Sequence, residues 1–210
     1  MNSVTVATFT NVRIVEHVNA IIKTSNALPF KSEKLIICPR RPDLPDGFRW
    51  ETDPLFNAYS FPHTINTFML NKFADYIDTD LVIYVHDDGF AINPGQWTDE
   101  FLMYDYIGAP WPAEWCRDNR VGNGGFSLRS RILLDLCKIG PKQSPVDPED
   151  VHVCRTNYEW FLQRKCRFAP IDLAMRWSYE SDLRDYPGRS IRQSFGFHGK
   201  HLVTQAMQAR

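Results

Sequence analysis

Apolar and polar positions along the chain follow two alternating periods. Val4-Thr5-Val6-Ala7-Thr8-Phe9-Thr10 alternates with period two and is rich in β-branched residues, which predicts a strand. Ile14, Val15, Val18, Ile21 and Ile22 then recur at helical spacing, with Asn11 placed to cap the helix. Lys34 to Cys38 is a second short apolar strand, so the chain opens as β-α-β, the unit of parallel sheets. From Pro39 to Pro62 five prolines break the pattern, predicting a long irregular connection with a short strand at Phe48 to Thr52. Ile65, Phe68, Met69, Phe73, Tyr76 and Ile77 mark an amphipathic helix. It leads into Leu81-Val82-Ile83-Tyr84-Val85, a continuous apolar run that reads as a parallel strand buried on both faces. Further short strands are expected at Tyr104 to Trp111 and Phe126 to Leu128, and helices at Ile132 to Cys137 and Glu149 to Arg164.

Composition narrows this pattern to a class. A length of 210 residues suits one compact α/β domain spanning 1–210, and 43% apolar residues supply a sizeable core. The formal net charge of −1 gives no support to electrostatic nucleic-acid binding, although Arg40, Arg41, Arg117, Arg120, Arg129 and Arg131 lie where a local basic face could form. No apolar run is long enough for a membrane span, and the N-terminus enters a strand pattern at Val4 without a signal-peptide layout. Five cysteines without CxxC spacing argue against a disulfide framework or a zinc knuckle, so reduced, packed thiols in a cytoplasmic protein are expected.

Candidate chemistry gathers at four places. The apolar strand ends in His86-Asp87-Asp88-Gly89, where ligands of open α/β sheets bind. Adjacent carboxylates repel unless a cation lies between them, and Mg2+ or Mn2+ on a diphosphate would serve; the alternative is a solvated turn. Val121-Gly122-Asn123-Gly124-Gly125-Phe126 allows positive φ and close approach to a ligand, or simply a tight turn. It follows the aromatic run Tyr106-Ile107-Gly108-Ala109-Pro110-Trp111, whose rings could stack on a sugar or fill the core. Asp147-Pro148-Glu149-Asp150 reads as a helix start, with Asp147 as cap and Pro148 first. A carboxylate fixed there could also act as a general base. Near the C-terminus, Phe195 to Lys200 is a glycine-flanked loop that could bring the His198 imidazole to a metal and the Lys200 ammonium to phosphate.

Taken in order, these segments resemble the metal-dependent GT-A glycosyltransferases, whose core carries a DXD motif, a glycine-rich loop, an xED motif and a C-terminal metal-binding His. The stretches YIGAPW (Tyr106 to Trp111) and GNGGFSLR (Gly122 to Arg129), followed by Pro148-Glu149-Asp150, resemble more closely a GT-A-related family known as a domain of unknown function. The resemblance runs from about Ile65 to His198. It implies a GT-A (Rossmann-like) α/β fold with a mostly parallel central sheet flanked by helices. It implies Mn2+ or Mg2+ held by Asp88 and His198, and a nucleotide-sugar donor, most simply UDP-linked, bound by His86, Asp87, Asp88, Gly124, Gly125, Lys200 and Thr8. His86 stands where the first Asp of the DXD motif would be, and Asp87 could take over its role. Asp150 matches the xED acid that serves as base in inverting members, with Glu149 beside it as the other catalytic acid. Tyr106, Trp111 and Asn123 are placed at the acceptor.

Two other classes remain open: a GT-A-like module that binds nucleotide or glycan without turnover, and a metal-dependent phosphoester hydrolase using Asp87, Asp88 and His198. A glycan, a protein, a small molecule or a modified DNA base would all be compatible acceptors.

Overall fold

The structure is a computed structural model that describes residues 2–57, 63–116, 119–142 and 147–208, apart from the side chains of residues 63 and 64. The end of the proline-rich connection (58–62) and Arg117 therefore lie outside the described residues.

The opening β-α-β unit is present as β1 (Val4–Phe9), α1 (Ile14–Ala27) and β2 (Glu33–Ile37). Asn11 does not cap α1. Arg13 holds that position in a left-handed conformation, with no side-chain cap bond. β3 (Phe48–Glu51) extends the sheet at one edge. The helix expected from Ile65 to Ile77 is α2 (His63–Asn71) followed by a 3-10 turn at Phe73–Tyr76.

The apolar run forms β4 (Leu81–Val85), and its alternate residues feed two cores. Leu81, Ile83 and Val85 pack with α1 residues on one face, and Val82 and Tyr84 pack with Phe68 and Phe73 on the other. Burial on both faces is why this strand shows no polar alternation. After the three-residue β5 (Gly89–Ala91), only Tyr106–Ile107 of the next aromatic run forms a strand, β6. β7 (Phe126–Ser130) then leads into α3 (Arg131–Ile139), which Ser130 caps through its hydroxyl.

The sheet order is β3-β2-β1-β4-β7-β6, and all pairings are parallel except those of β7. The chain moves outward from β1 to β3 and returns to the other side of β1 at β4. A switch point therefore lies at the carboxyl ends of β1 and β4, where a crevice opens. Because β7 runs antiparallel to β4, with Val85 opposite Phe126, the glycine-rich stretch enters β7 at that same edge.

The helix expected from Glu149 to Arg164 is interrupted. It begins as α4 (Glu149–Val151), widens into a π-helical turn at His152–Thr156, and resumes as α5 (Tyr158–Leu162). Asn119 donates to the Cys154 carbonyl at 2.9 Å, and Asn157 donates to that of His152, so side chains take over part of the helical bonding.

A second sheet carried no periodic signal in the sequence. It adds β8 (Ser178–Tyr179) and β9 (Gly196–His198), which follow α6 (Ile171–Trp177), to β5, with strand order β5-β9-β8. What reads as a flexible loop around His198 is thus a strand end, paired with Gly89. The short α7 (Val203–Gln208) closes the described chain. All five cysteines are buried free thiols, and no described helix is long and apolar enough to cross a membrane.

Candidate active site

Three donor atoms meet just beyond β4. Asp88 Oδ1 lies 3.9 Å from His86 Nδ1 and 3.7 Å from His198 Nε2, and the three side chains could share a metal ion. His86 and Asp88 come from the β4 end, and pairing of Gly89 with His198 brings in the third residue across the second sheet. Each imidazole is held from behind. His86 Nε2 is 3.1 Å from the Tyr84 hydroxyl, and His198 Nδ1 is 3.3 Å from Glu180 Oε1. Orienting bonds of this kind are what metal-ligating histidines carry. Burial, then the neighbouring His198, His17 and Arg129, push the His86 pKa well below its ordinary value, leaving the ring neutral. For His198 burial acts downward, but the hydrogen bond and charge of Glu180 and the charge of Asp88 outweigh it, and its pKa is raised. Glu180 also accepts a hydrogen bond from Asn123, and nothing in the sequence around it signals this role.

Asp87 does not join this group. Its carboxylate turns to Arg13 (Nη1–Oδ2 2.8 Å) and to His17 (Nε2–Oδ1 3.4 Å). Thr8, expected among the donor contacts, is fully buried and bonds His17 Nδ1 at 2.9 Å, so it holds the ring that faces Asp87. With Asp87 engaged, the two-acid cluster that a phosphoester hydrolase would need is not formed.

The glycine-rich stretch departs from expectation in an informative way. Its positive φ belongs to Asn123 (φ 53°), and none of its glycines adopts one. Gly124 and Gly125 are required for close approach by other side chains. A β-carbon on Gly124 would collide with the Glu149 carboxylate, and one on Gly125 with the His198 imidazole. These glycines make room for the site's own residues.

Glu149 and Asp150 are neighbours with different surroundings. Glu149 is buried and bound by both arms of the fully buried Arg129 guanidinium, at 2.7 and 2.8 Å. Its charge is neutralised by Arg129, and the cavity described below is lined by Asp150 and not by Glu149. Asp147 is no cap. Its carboxylate accepts from Thr156 at 2.9 Å, Pro148 takes the cap position, and the Glu149 amide bonds Asn66 of α2. Asp150 accepts from the amides of Gly124 (2.9 Å) and Val151 (2.8 Å). Burial, reinforced by the Glu149 charge, pushes its pKa up to about 6 against the pull of those amides.

Asp150 lines a cavity of 560 Å³ with Trp111, Trp115, Asn123, Arg155 and Glu180. Trp115 is 57% exposed at this cavity, whereas Trp111 is 6% exposed. Tyr106, expected beside Trp111, does not line this cavity: it is fully buried, with Arg129 over its ring at 5.2 Å. Lys200 is exposed, two residues beyond His198. Three of the arginines expected on a basic face are engaged elsewhere, while Arg40 and Arg41 are exposed. Arg129 is buried, Arg120 pairs with Asp185, and Arg131 pairs with Asp135.

Among solved structures, the chain resembles a glycosyltransferase involved in the glycosylation of the major capsid of PBCV-1, at 11% identity and a TM-score of 0.58, covering 99% of this chain and 98% of that one. It also resembles the mannosyltransferase PcManGT from Pyrobaculum calidifontis, solved with GDP-Man and Mn2+, at 11% identity and a TM-score of 0.53. That match covers 82% of this chain and 55% of the other. These likenesses define the fold as that of the GT-A glycosyltransferases. No curated protein matches the chain. Residues 52–198 match the family described as Protein of unknown function (DUF5672), and the chain belongs to that family.

Proposed function

We propose that this chain is a metal-dependent glycosyltransferase that moves a sugar from a nucleotide-sugar donor, UDP-linked, to an acceptor hydroxyl with inversion. One observation carries the reading: Gly124-Gly125 touches both halves of a transfer site. The Gly124 amide holds Asp150 inside a tryptophan-lined cavity, and Gly125 lies against a His198 aimed at Asp88. A base on one side of a short backbone segment and cation ligands on the other are what in-line displacement requires. The GT-A fold supports the class.

In this reading Asp88 and His198 hold Mn2+ or Mg2+, which when bound neutralises charge on the leaving diphosphate. Lys200 adds an ammonium for phosphate. Asp150, ionised at neutral pH, takes the proton of the attacking hydroxyl and is aimed by its two amide donors. Trp111 and Trp115 offer ring faces to sugar C–H groups, and Asn123 and Glu180 offer polar partners, so the cavity favours a saccharide acceptor. We take residues 1–210 as one catalytic domain, working in the cytoplasm where its five thiols stay reduced.

A thermal-shift screen of nucleotide sugars with and without Mn2+, followed by NMR of the product anomer, tests this. One donor should raise the melting midpoint only with metal, because ligand binds the folded state. Asp88→Asn should abolish that shift. No shift with any donor, or release of nucleoside monophosphate, would overturn the reading.

A further inference from the structure

We infer that the acceptor is an uncharged glycan chain of two or more units, with the reacting unit over Asp150 and the preceding unit in a second cavity across Trp115 and Arg155. The inference rests on the transferase reading for its chemistry, while its own support is the shape and charge of a cleft.

The 560 Å³ cavity at Asp150 continues past Trp115. A second cavity of 200 Å³, lined by Asn119, Cys154, Tyr158 and Glu159, shares Trp115, Cys116 and Arg155 with the first, so the two meet along that edge. One helical segment walls both. Asp150, Val151 and Arg155 line the first cavity, and Cys154, Arg155, Tyr158 and Glu159 line the second. The segment that begins at the proposed base therefore runs outward along the cleft. Its π-helical turn at His152–Thr156 carries Arg155 to the junction, and such turns are frequent at functional sites. Ligand pockets run from roughly 300 to 1,000 Å³, so 560 Å³ seats the reacting unit and the smaller cavity extends the site beyond it.

Two side chains at the junction are left over by the fold. Trp115 ends a 3-10 turn (Ala113–Trp115) with its ring 57% exposed, although burying a ring of that size would stabilise the chain. An indole face open to both cavities suits the C–H face of a sugar. Arg155 is exposed, and among the described residues no hydrogen bond or ion pair engages its guanidinium. Its five N–H donors are available to hydroxyl and ring oxygens. Asn119 differs: its amide is spent on the Val121 and Cys154 carbonyls, so it builds the floor.

Charge narrows the chain further. Asp150, Glu180 and Glu159 line the two cavities against the single guanidinium of Arg155. A uronic-acid or phosphate-bearing chain would meet a net negative cleft, and like charges brought together across an interface are costly. Hydroxyl groups can donate to the carboxylates and accept from Arg155, so an uncharged chain satisfies both.

The test is binding to the full chain with UDP and Mn2+ present. The probes are mono-, di- and tetrasaccharides of glucose, galactose, mannose, N-acetylglucosamine and rhamnose, with uronic-acid chains of the same lengths, titrated by tryptophan fluorescence. At least one neutral chain should bind at least about tenfold tighter than its own monosaccharide, the equivalent of about 1.4 kcal/mol. Trp115→Ala and Arg155→Ala should each bring that ratio toward one, with far-ultraviolet circular dichroism confirming the fold. Glu159→Lys, confined to the second cavity, should admit uronic-acid chains. A monosaccharide bound as tightly as its chains, a preference of the parent for uronic-acid chains, or no binding by any probe overturns the proposal whether or not the variants fold. So does an unchanged ratio in folded Arg155→Ala and Trp115→Ala. A donor-dependent thermal shift without chain binding leaves the transferase reading standing and removes this one. Chain-length preference without sugar transfer supports this one and counts only against the enzymatic reading.

Discussion

Two corners of the molecule each carry a pair of adjacent acids, and each pair is split the same way. After β4, Asp87 is drawn to Arg13 and His17 while Asp88 faces two imidazoles. At the start of α4, Glu149 is locked to Arg129 while Asp150 lines the cavity. In both corners a cation neutralises one acid and leaves its neighbour to the site. The corners differ in what the sacrificed acid supports. Arg129 and Glu149 are both buried, so removing either strands a charge in the core. Arg13 is half exposed, and water can compensate for much of a lost partner. Adjacent acids therefore need not share a role, and burial of the cation decides how costly an error would be.

The largest expected effect breaks the buried pair of Arg129 and Glu149. Glu149→Gln should cost about 3–5 kcal/mol, read from the urea midpoint, because Arg129 keeps its charge without a carboxylate. Joint replacement of Arg129 by Met and Glu149 by Leu should recover much of that loss. Parent stability with turnover abolished in Glu149→Gln would exchange the roles of Glu149 and Asp150.

Asp150→Asn should lower turnover by about a hundredfold or more in single-turnover assays. In the parent, activity should fall as pH drops through about 6, where Asp150 takes up its proton. The linkage has a definite sign. A carboxyl whose folded pKa is about 6 stabilises the fold fully below its unfolded pKa of roughly 4 and loses that contribution as pH rises through 6. The variant should therefore melt no lower than the parent at pH 7, with its relative advantage shrinking as pH falls from about 6 to roughly 4 and absent below that. A large drop in melting temperature at pH 7 would make Asp150 a structural residue.

The β4 corner gives a smaller contrast. Asp88→Asn should lose metal-dependent donor binding. Asp87→Asn should keep it and cost roughly 1 kcal/mol or less, since its arginine partner is half exposed. Equal loss of metal binding in both would restore Asp87 to the cation site. Smallest in stability is Trp115→Ala, expected to leave melting unchanged and raise the acceptor KM. Trp111→Ala buries too much to separate these effects, because that ring is 6% exposed.

The sequence by itself determined the opening β-α-β unit, the doubly buried β4, the acids at its end and the helix start carrying Asp150. All rest on local periodicity and terminus chemistry, which a window of a few residues expresses. Tertiary structure alone decided which acid of each pair is free, because the arginine that chooses lies far along the chain: Arg13 for Asp87, and Arg129 for Glu149. It also decided that Gly124 and Gly125 receive Glu149 and His198, that Glu180 stands behind His198, and that His86 faces Asp88. The strands responsible, β8 and β9, are two and three residues long, too short for a period to register. Pairing of β9 with β5 sets Gly89 against His198 through non-local register, which no local pattern encodes.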